Sequence, residues 1–170
     1  LQGSVDDDPQ CQLIKRLAGE MIFCVAAGNS GPGGWTIGSP GASPYALTVG
    51  AWSTHYDGLA IFSSRGPSGE FYQDHFDAWQ EDTEKYGDNL TKPDCVAPGG
   101  GPVEEGQTPD MIYSGVTGWM DGMQDLTLGE GLDAMRGTSM ATPHAAGLIA
   151  YAYDRGIVKT AQDVKNRMMV

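Results

Sequence analysis

The fold is decided by residues 137–147, which are Gly137-Thr138-Ser139-Met140-Ala141-Thr142-Pro143-His144-Ala145-Ala146-Gly147. This stretch predicts a tight turn that leads directly into a helix of small residues, with the Ser139 hydroxyl at the helix start. Unpaired backbone N–H groups and the helix dipole both favour negative charge there, so an oxyanion beside Ser139 would be stabilised. Pro143 is expected in the first turn, where the N–H that proline lacks has no helical partner to lose. The small side chains allow close packing, which would hold the serine in place.

A serine before a helix is often no more than an N-cap. The whole stretch, however, resembles the nucleophile motif of subtilisin-like serine proteases over eleven consecutive positions. The resemblance implies that Ser139 is the nucleophile and that His144 is a structural residue of the helix. The nucleophile elbow of other serine hydrolases, G-x-S-x-G, does not fit, because Ala141 stands two residues after Ser139.

Length and composition limit the classes of protein that the chain can belong to. Its 170 residues suffice for about one domain with a core of its own. The 22 acidic and 10 basic residues give a formal charge of −12, which argues against nucleic acid or an anionic membrane as a partner. No apolar run is long enough to span a bilayer. The three cysteines lack metal-ligand spacing, so they predict neither a disulfide framework nor a zinc site, and Cys24 and Cys95 are expected to be small buried apolar residues.

The first third of the chain alternates between helical and strand patterns. The acidic loop of Asp6, Asp7 and Asp8 favours a helix start just beyond it, and Leu13 and Ile14 would lie on one apolar face of that helix with Leu17. Two short apolar runs then predict buried strands. The predicted ranges are 10–18 for the helix, and 21–27 and 45–51 for the strands. Helices alternating with buried strands indicate an α/β fold with a parallel sheet.

The glycine-rich loop of residues 28–34 follows the first of these strands. Ligand sites of open α/β sheets tend to lie at the carboxyl end of a strand, so this loop is a candidate site. The alternative interpretation is that the loop is only a flexible connector. Its glycines do not have the G-x-G-x-x-G spacing of a dinucleotide site. A-A-G-N-S-G resembles the subtilisin-family loop that carries the oxyanion asparagine. Asn29 would then donate to the tetrahedral oxyanion together with the Ser139 backbone N–H.

The same resemblance implies a primary specificity pocket lined by Ala26, Ala27, Gly28 and Gly38. A glycine at position 38 leaves the base of that pocket open to a medium or large apolar side chain. In some relatives the carbonyls of a turn matching 41–46 bind a cation, which implies a structural calcium ion at most; the resemblance implies no metal in the chemistry and no required cofactor.

Two further stretches resemble the family, F-S-S-R-G-P at 62–67 and K-P-D-C-V-A-P-G at 92–99. Residues 68–90 between them are rich in acidic and aromatic residues and are predicted to be a surface insertion. A second glycine- and acid-rich segment, 100–133, would hold a short strand at Met111 to Ser114. Residues 159–170 resemble the start of a closing family helix.

The catalytic base and its orienting carboxylate are not apparent. A serine hydroxyl needs both, and the family carries them in H-G-T-x-V-A and D-[ST]-G contexts that do not occur here. None of the histidines His55, His75 and His144 lies in such a context, and His144 is expected to face the helix interior. The resemblance therefore implies an incomplete subtilisin-like fold, the carboxyl-terminal part of a parallel sheet with helices on both faces. The aspartate and histidine would come from an amino-terminal part of the same domain.

Three hypotheses follow. The first is a secreted serine endopeptidase acting on polypeptides, with this chain nearly inactive alone; secretion follows only from family habit. The second is a catalytically dead subtilisin-like module that binds peptides. The third, an unrelated α/β hydrolase, is disfavoured by the missing nucleophile elbow. Retention of both Ser139 and Asn29 favours the enzyme, because a binding module has no chemical need of them.

Overall fold

A computed structural model describes residues 8–67, 91–115 and 132–168 of the chain. The predicted insertion at 68–90 lies outside these residues, as does most of the region between the 100–110 loop and the nucleophile motif. In chain order the described elements are α1 (Pro9–Leu17), β1 (Cys24–Ala26), β2 (Leu47–Ser53), β3 (Gly58–Leu59), β4 (Cys95–Pro98), β5 (Ile112–Gly115), β6 (Leu132–Met135), α2 (Thr138–Asp154) and α3 (Ala161–Met168). The prediction of an α/β fold is confirmed.

Helix α1 begins where the acidic loop predicts it. The Asp8 carboxylate accepts hydrogen bonds from two backbone N–H groups of the first turn, Gln10 and Cys11, each at 2.9 Å. The buried side of the helix carries Cys11 and Ile14, and Cys11 Sγ lies 3.6 Å from Ser39 Oγ. Leu13, expected on the same face, is 51% exposed. The helix therefore buries a narrower stripe than the pattern predicted.

Strand β2 is the centre of the main sheet. It pairs in parallel with β1, with Leu47 opposite Cys24, and in parallel with β4, with Val49 opposite Cys95. It also forms an antiparallel hairpin with β3, which the predicted parallel sheet does not contain. The turn of that hairpin holds Asp57 at a φ of 51°, a left-handed conformation that aspartate tolerates better than most residues.

A second, two-stranded sheet lies apart from the first. β5 confirms the strand predicted at Met111 to Ser114, displaced by one residue, and it pairs antiparallel with β6, which was not predicted. The sequence of β6, Leu-Asp-Ala-Met, has no apolar alternation over a useful length.

Helix α2 covers one face of the main sheet. Its Ala141 and Ala145 pack with Val49, Ala51 and Ala97 of β2 and β4, while Ile149 and Ala152 pack with Leu47 and with Val158 and Val164 towards α3. Alanine at these positions lets the helix approach the strands closely. β1 is only half-buried, although its sequence predicted a strand buried on both faces, because among the described residues it pairs with β2 alone.

Cys11, Cys24 and Cys95 form no disulfide bond among the described residues. Cys24 and Cys95 are half-buried and pack against the core. Burial raises the pKa of Cys95 to about 11, so its thiol stays protonated at neutral pH. Across the described ranges, no helix has the length and apolar composition that a membrane span requires.

Candidate active site

Ser139 is the second residue of α2, and its side chain is exposed. The preceding Gly137 has a φ of 149°, which disfavours a residue with a side chain, and its backbone N–H donates to the Gly99 carbonyl at 2.8 Å. That bond ties the helix start to the end of β4. No acceptor pairs with the Ser139 N–H within the described part of the chain. The helix thus presents a hydroxyl and a free backbone donor side by side.

Pro143 is the sixth residue of α2 rather than a first-turn residue, so that prediction is wrong. Because proline has no N–H, the Ser139 carbonyl receives no helical hydrogen bond from it. The start of α2 is instead reinforced by Thr142, whose hydroxyl donates to the Thr138 carbonyl at 2.8 Å.

Asn29 lies just beyond the carboxyl end of β1, and its carboxamide is bound to the residue before Ser139. The Thr138 backbone N–H donates to Asn29 Oδ1 at 3.0 Å, and the Thr138 hydroxyl donates to the same oxygen at 3.1 Å. A backbone N–H can only donate, so the atom that faces it must be the carboxamide oxygen. The Asn29 NH₂ group is therefore the free end, and no described acceptor is bonded to it.

Thr138 itself joins the two loops of the site. It is 1% exposed, and its hydroxyl accepts the Gly28 backbone N–H at 3.2 Å while it donates to Asn29. Sequence reasoning did not single out Thr138, although it stands inside the nucleophile motif. Its partners are 109 and 110 positions away, so only the folded chain reveals the role.

The four residues predicted to line the specificity pocket lie around the same loop. Ala26 ends β1, and Ala27 is fully buried in a small cluster with Ile37 and Ala42. The Ala27 backbone N–H donates to the Val49 carbonyl at 2.9 Å, so this residue exposes no surface to a substrate. Gly28 follows with a φ of 104°. A Cβ placed on Gly38 would meet no atom within 4 Å, so open space adjoins that glycine.

The described histidines are not bonded to Ser139. His144 is exposed, so the expectation that it faces the interior is wrong, and its Nδ1 lies 2.8 Å from the Met140 carbonyl one helical turn earlier. His55 stands in the turn after β2, with its ring edge-on to Tyr56 and its backbone N–H 3.3 Å from an Asp110 carboxylate oxygen. His75 lies outside the described residues.

Lysine side chains reach the turn at 41–46, where the family resemblance implied a cation. Lys92 Nζ donates to the Ala46 carbonyl at 2.9 Å, and Lys165 Nζ donates to the Pro44 carbonyl at 3.3 Å. The Gly41 carbonyl accepts the Thr48 hydroxyl at 2.6 Å. Carbonyls already bound by ammonium groups do not fit a divalent cation, because the two positive charges repel each other. No cluster of metal-ligating side chains occurs in the described ranges.

Asp94 balances these two lysines. Its carboxylate lies 2.6 Å from Lys92 Nζ and 3.0 Å from Lys165 Nζ. Burial of Lys92 lowers its pKa to about 8, an effect that the attraction of Asp94 partly offsets. The network ties α3 to β2 and to the segment that leads into β4.

The arrangement can stabilise negative charge next to an exposed hydroxyl. Two N–H donors without a described acceptor, on Ser139 and Asn29, belong to the start of one helix and to the loop that is hydrogen-bonded to it, and such donors are the groups from which oxyanion holes are built. A serine hydroxyl without a base is a poor nucleophile, and the described residues place no base beside it.

Comparisons with known proteins agree with the motifs. The model of the Subtilase family matches residues 2–169. The chain is 34% identical over 167 residues to serine protease AprX of Bacillus subtilis (strain 168), a match that covers 94% of the chain and 32% of AprX. It is 32% identical over 171 residues to pyrolysin of Pyrococcus furiosus, covering 84% of the chain and 10% of pyrolysin. Among solved structures, Sphericase superposes with a TM-score of 0.63 at 25% identity, over 99% of this chain and 46% of Sphericase. The chain thus spans about a third of the length of AprX and less than half of Sphericase.

Proposed function

The chain belongs to the subtilase family, and on that premise we propose that it supplies the nucleophile and the oxyanion hole of a serine endopeptidase. Ser139 would attack the scissile peptide carbonyl, and Asn29 would donate to the oxyanion that forms. The substrate is a polypeptide. The family match and the AprX match support protease chemistry in general, and the contacts around Asn29 support this assignment of roles.

One observation carries the proposal. The Asn29 carboxamide oxygen accepts hydrogen bonds from both donors of Thr138, the residue that precedes Ser139, which leaves the Asn29 NH₂ group without a described acceptor. Acceptance of the first N–H of α2 fixes the Asn29 carboxamide in one orientation. Two donors held in advance stabilise a transition state without reorganisation, and losing one costs about a hundred- to a thousandfold in turnover, a magnitude known from a subtilisin.

The reaction would proceed in two stages. Ser139 Oγ forms a bond to the carbonyl carbon as its proton passes to a general base, and the carbonyl π electrons move to the oxygen that faces the two donors. When that oxyanion collapses, the amine leaves with the proton and an ester to Ser139 remains. Water then attacks the ester by the same route, releases the acid and restores the serine.

We propose that the base and its carboxylate belong to an amino-terminal part of the domain outside these 170 residues. The chain spans about a third of AprX, and neither described histidine is bonded to Ser139. The 170 residues alone would then be nearly inactive, because loss of triad members in a subtilisin lowers turnover on the order of a millionfold. We also propose that the protein is secreted, on family habit alone.

The primary pocket would accept a medium or large apolar side chain. The open space beside Gly38 supports this proposal, since a Cβ placed there would meet no atom within 4 Å. No structural calcium is proposed at the 41–46 turn, because lysine ammonium groups already bind the Pro44 and Ala46 carbonyls.

The test is Ser139→Ala in the full-length protein, assayed on a denatured protein substrate. Proteolysis should fall by at least a thousandfold, while His144→Ala and His55→Ala, matched histidine controls, should stay within a few-fold of wild type. Unchanged cleavage by Ser139→Ala would refute the proposal. If the wild-type protein is folded, binds peptides and cleaves nothing, the peptide-binding module becomes the better account.

A further inference from the structure

We propose that Ser64 is a positioning residue of the oxyanion hole, which fixes the backbone on both sides of Asn29. The inference rests on the proposed function, since it concerns the placement of the Asn29 donor. Ser64 lies in the F-S-S-R-G-P stretch, for which sequence reasoning found a family resemblance but no role.

Ser64 binds both neighbours of Asn29. Its backbone N–H donates to the Gly28 carbonyl at 2.9 Å, and its Oγ accepts the Ser30 backbone N–H at 3.1 Å. Ser64 is fully buried, whereas Asn29 and Ser30 are exposed. One buried residue therefore anchors an exposed loop at the two positions that determine where Asn29 stands.

Gly28 and Ser64 are packed so closely that a side chain at position 28 would collide with Ser64. A Cβ placed on Gly28 would lie 2.9 Å from Ser64 Oγ, so the hydroxyl occupies space that a side chain at position 28 would need. The loop remains attached to the same segment one residue further along, where the Gly31 N–H donates to the Phe62 carbonyl at 2.8 Å.

Asn29 is consequently held from two directions. Thr138 fixes its carboxamide, and Ser64 fixes its backbone through Gly28 and Ser30. Catalytic donors must be held within about 0.5 Å of the productive geometry, and a misplacement of about 1 Å can cost on the order of a hundredfold in rate. Loss of the Ser64 hydroxyl frees the Ser30 side of the loop while the Gly28 bond remains.

The adjacent Ser63 offers a matched control. It is also fully buried, and its Oγ likewise accepts a backbone N–H at 3.1 Å, but that N–H belongs to Ala51 in β2. Ser63→Ala and Ser64→Ala therefore remove the same kind of hydrogen bond from neighbouring buried positions. Any difference between them in turnover reports on Asn29, whereas a loss of stability is expected from both.

The experiment measures kcat and KM of the full-length protein on a chromogenic peptide amide. Ser64→Ala should lower kcat by about tenfold with KM within about twofold, because the donor acts in the transition state and not in ground-state binding. Ser63→Ala should leave kcat within about twofold of wild type. In an Asn29→Ala background, Ser64→Ala should cause no further decrease, because its effect passes through Asn29.

The outcomes separate the two proposals. Equal kcat for Ser63→Ala and Ser64→Ala, or a full additional decrease in the Asn29→Ala background, would overturn the role of Ser64. The proposed function would still stand if Ser139→Ala abolishes activity and Asn29→Ala lowers kcat by about a hundred- to a thousandfold. Activity that survives Ser139→Ala would refute the proposed function, and the role of Ser64 with it. If Ser64→Ala does not fold, Ser64→Cys retains a weak acceptor and should give a smaller decrease in kcat that again vanishes without Asn29.

Discussion

Replacing Asp94 by asparagine should destabilise the fold by about 3–5 kcal/mol, because its carboxylate neutralises a buried ammonium group. The Asp94 and Lys92 side chains are 1% and 0% exposed, and Asp94 Oδ2 lies 2.6 Å from Lys92 Nζ. The same oxygen accepts the Thr48 backbone N–H at 2.6 Å, while Oδ1 lies 3.0 Å from Lys165 Nζ. Asparagine keeps the size of the side chain but leaves Lys92 as an uncompensated buried cation.

The effect of Asp94→Asn on the free energy of unfolding should depend on pH through the ionisation of Lys92. The pKa of Lys92 is about 8 in the folded protein against an ordinary value of 10.5, so the folded state binds fewer protons than the unfolded state between these pH values. Lys92 therefore makes the free energy of unfolding rise with pH in that window. Because Asp94 raises the pKa of Lys92, the Asp94→Asn change lowers that pKa, and the free energy of unfolding of the variant begins to increase at a lower pH than that of wild type. The loss in free energy of unfolding caused by Asp94→Asn should therefore be largest near pH 6 and smaller at pH 9.

The assay is urea unfolding of the full-length protein, followed by circular dichroism and compared at equal m-values. Asp57→Asn is the control, since Asp57 is exposed at a φ of 51° that asparagine also tolerates, and it should stay within about 0.5 kcal/mol of wild type. An Asp94→Asn protein within about 1 kcal/mol of wild type at pH 6 would refute the reasoning, as would a deficit that grows with pH.

Two further predictions concern the site. Thr138→Val should lower kcat by about 3- to 10-fold, because Asn29 Oδ1 keeps only one of its two donors and the Gly28 N–H loses its acceptor. Thr138→Ser should restore kcat, and a serine variant as slow as the valine variant would contradict a hydrogen-bonding role. Gly31→Ala should lower both the free energy of unfolding and kcat, since its Cβ would overlap carbonyl oxygens of the 61–63 segment. Gly33→Ala is the control: its Cβ would meet no atom within 4 Å, so in parallel assays this variant should match wild type in both quantities.

The nucleophile helix and the loop that follows β1 could be predicted because each is encoded by a contiguous pattern. An apolar run followed by Gly28-Asn29 predicts a strand and its loop, and the 137–147 stretch predicts a turn and a helix. The position predicted for Pro143 is wrong although the predicted helix start is nearly right: from a start at Thr138, Pro143 is the sixth residue and lies beyond the first turn. Confirmed elements are those that local periodicity and turn chemistry determine.

Contacts between distant segments could not be predicted in the same way. The bonds of Thr138 to Asn29 join residues 109 positions apart. The lysines that bind carbonyls of the 41–46 turn are Lys92, just before β4, and Lys165 in α3. Both are distant from the turn in sequence, so the sequence did not indicate that their ammonium groups would bind the carbonyls expected to bind a cation. His144 is expected to face the helix interior as a structural residue, yet it is exposed on α2.

The central claim is that Ser139 is an activated nucleophile beside an oxyanion hole. Its most direct test is incubation of the full-length protein with a fluorophosphonate probe, followed by mass mapping of the labelled peptide. The account predicts a single adduct at Ser139, lost in Ser139→Ala and strongly slowed in Asn29→Ala. A folded full-length protein that carries no adduct at Ser139, or one that is labelled equally well without Asn29, would contradict it.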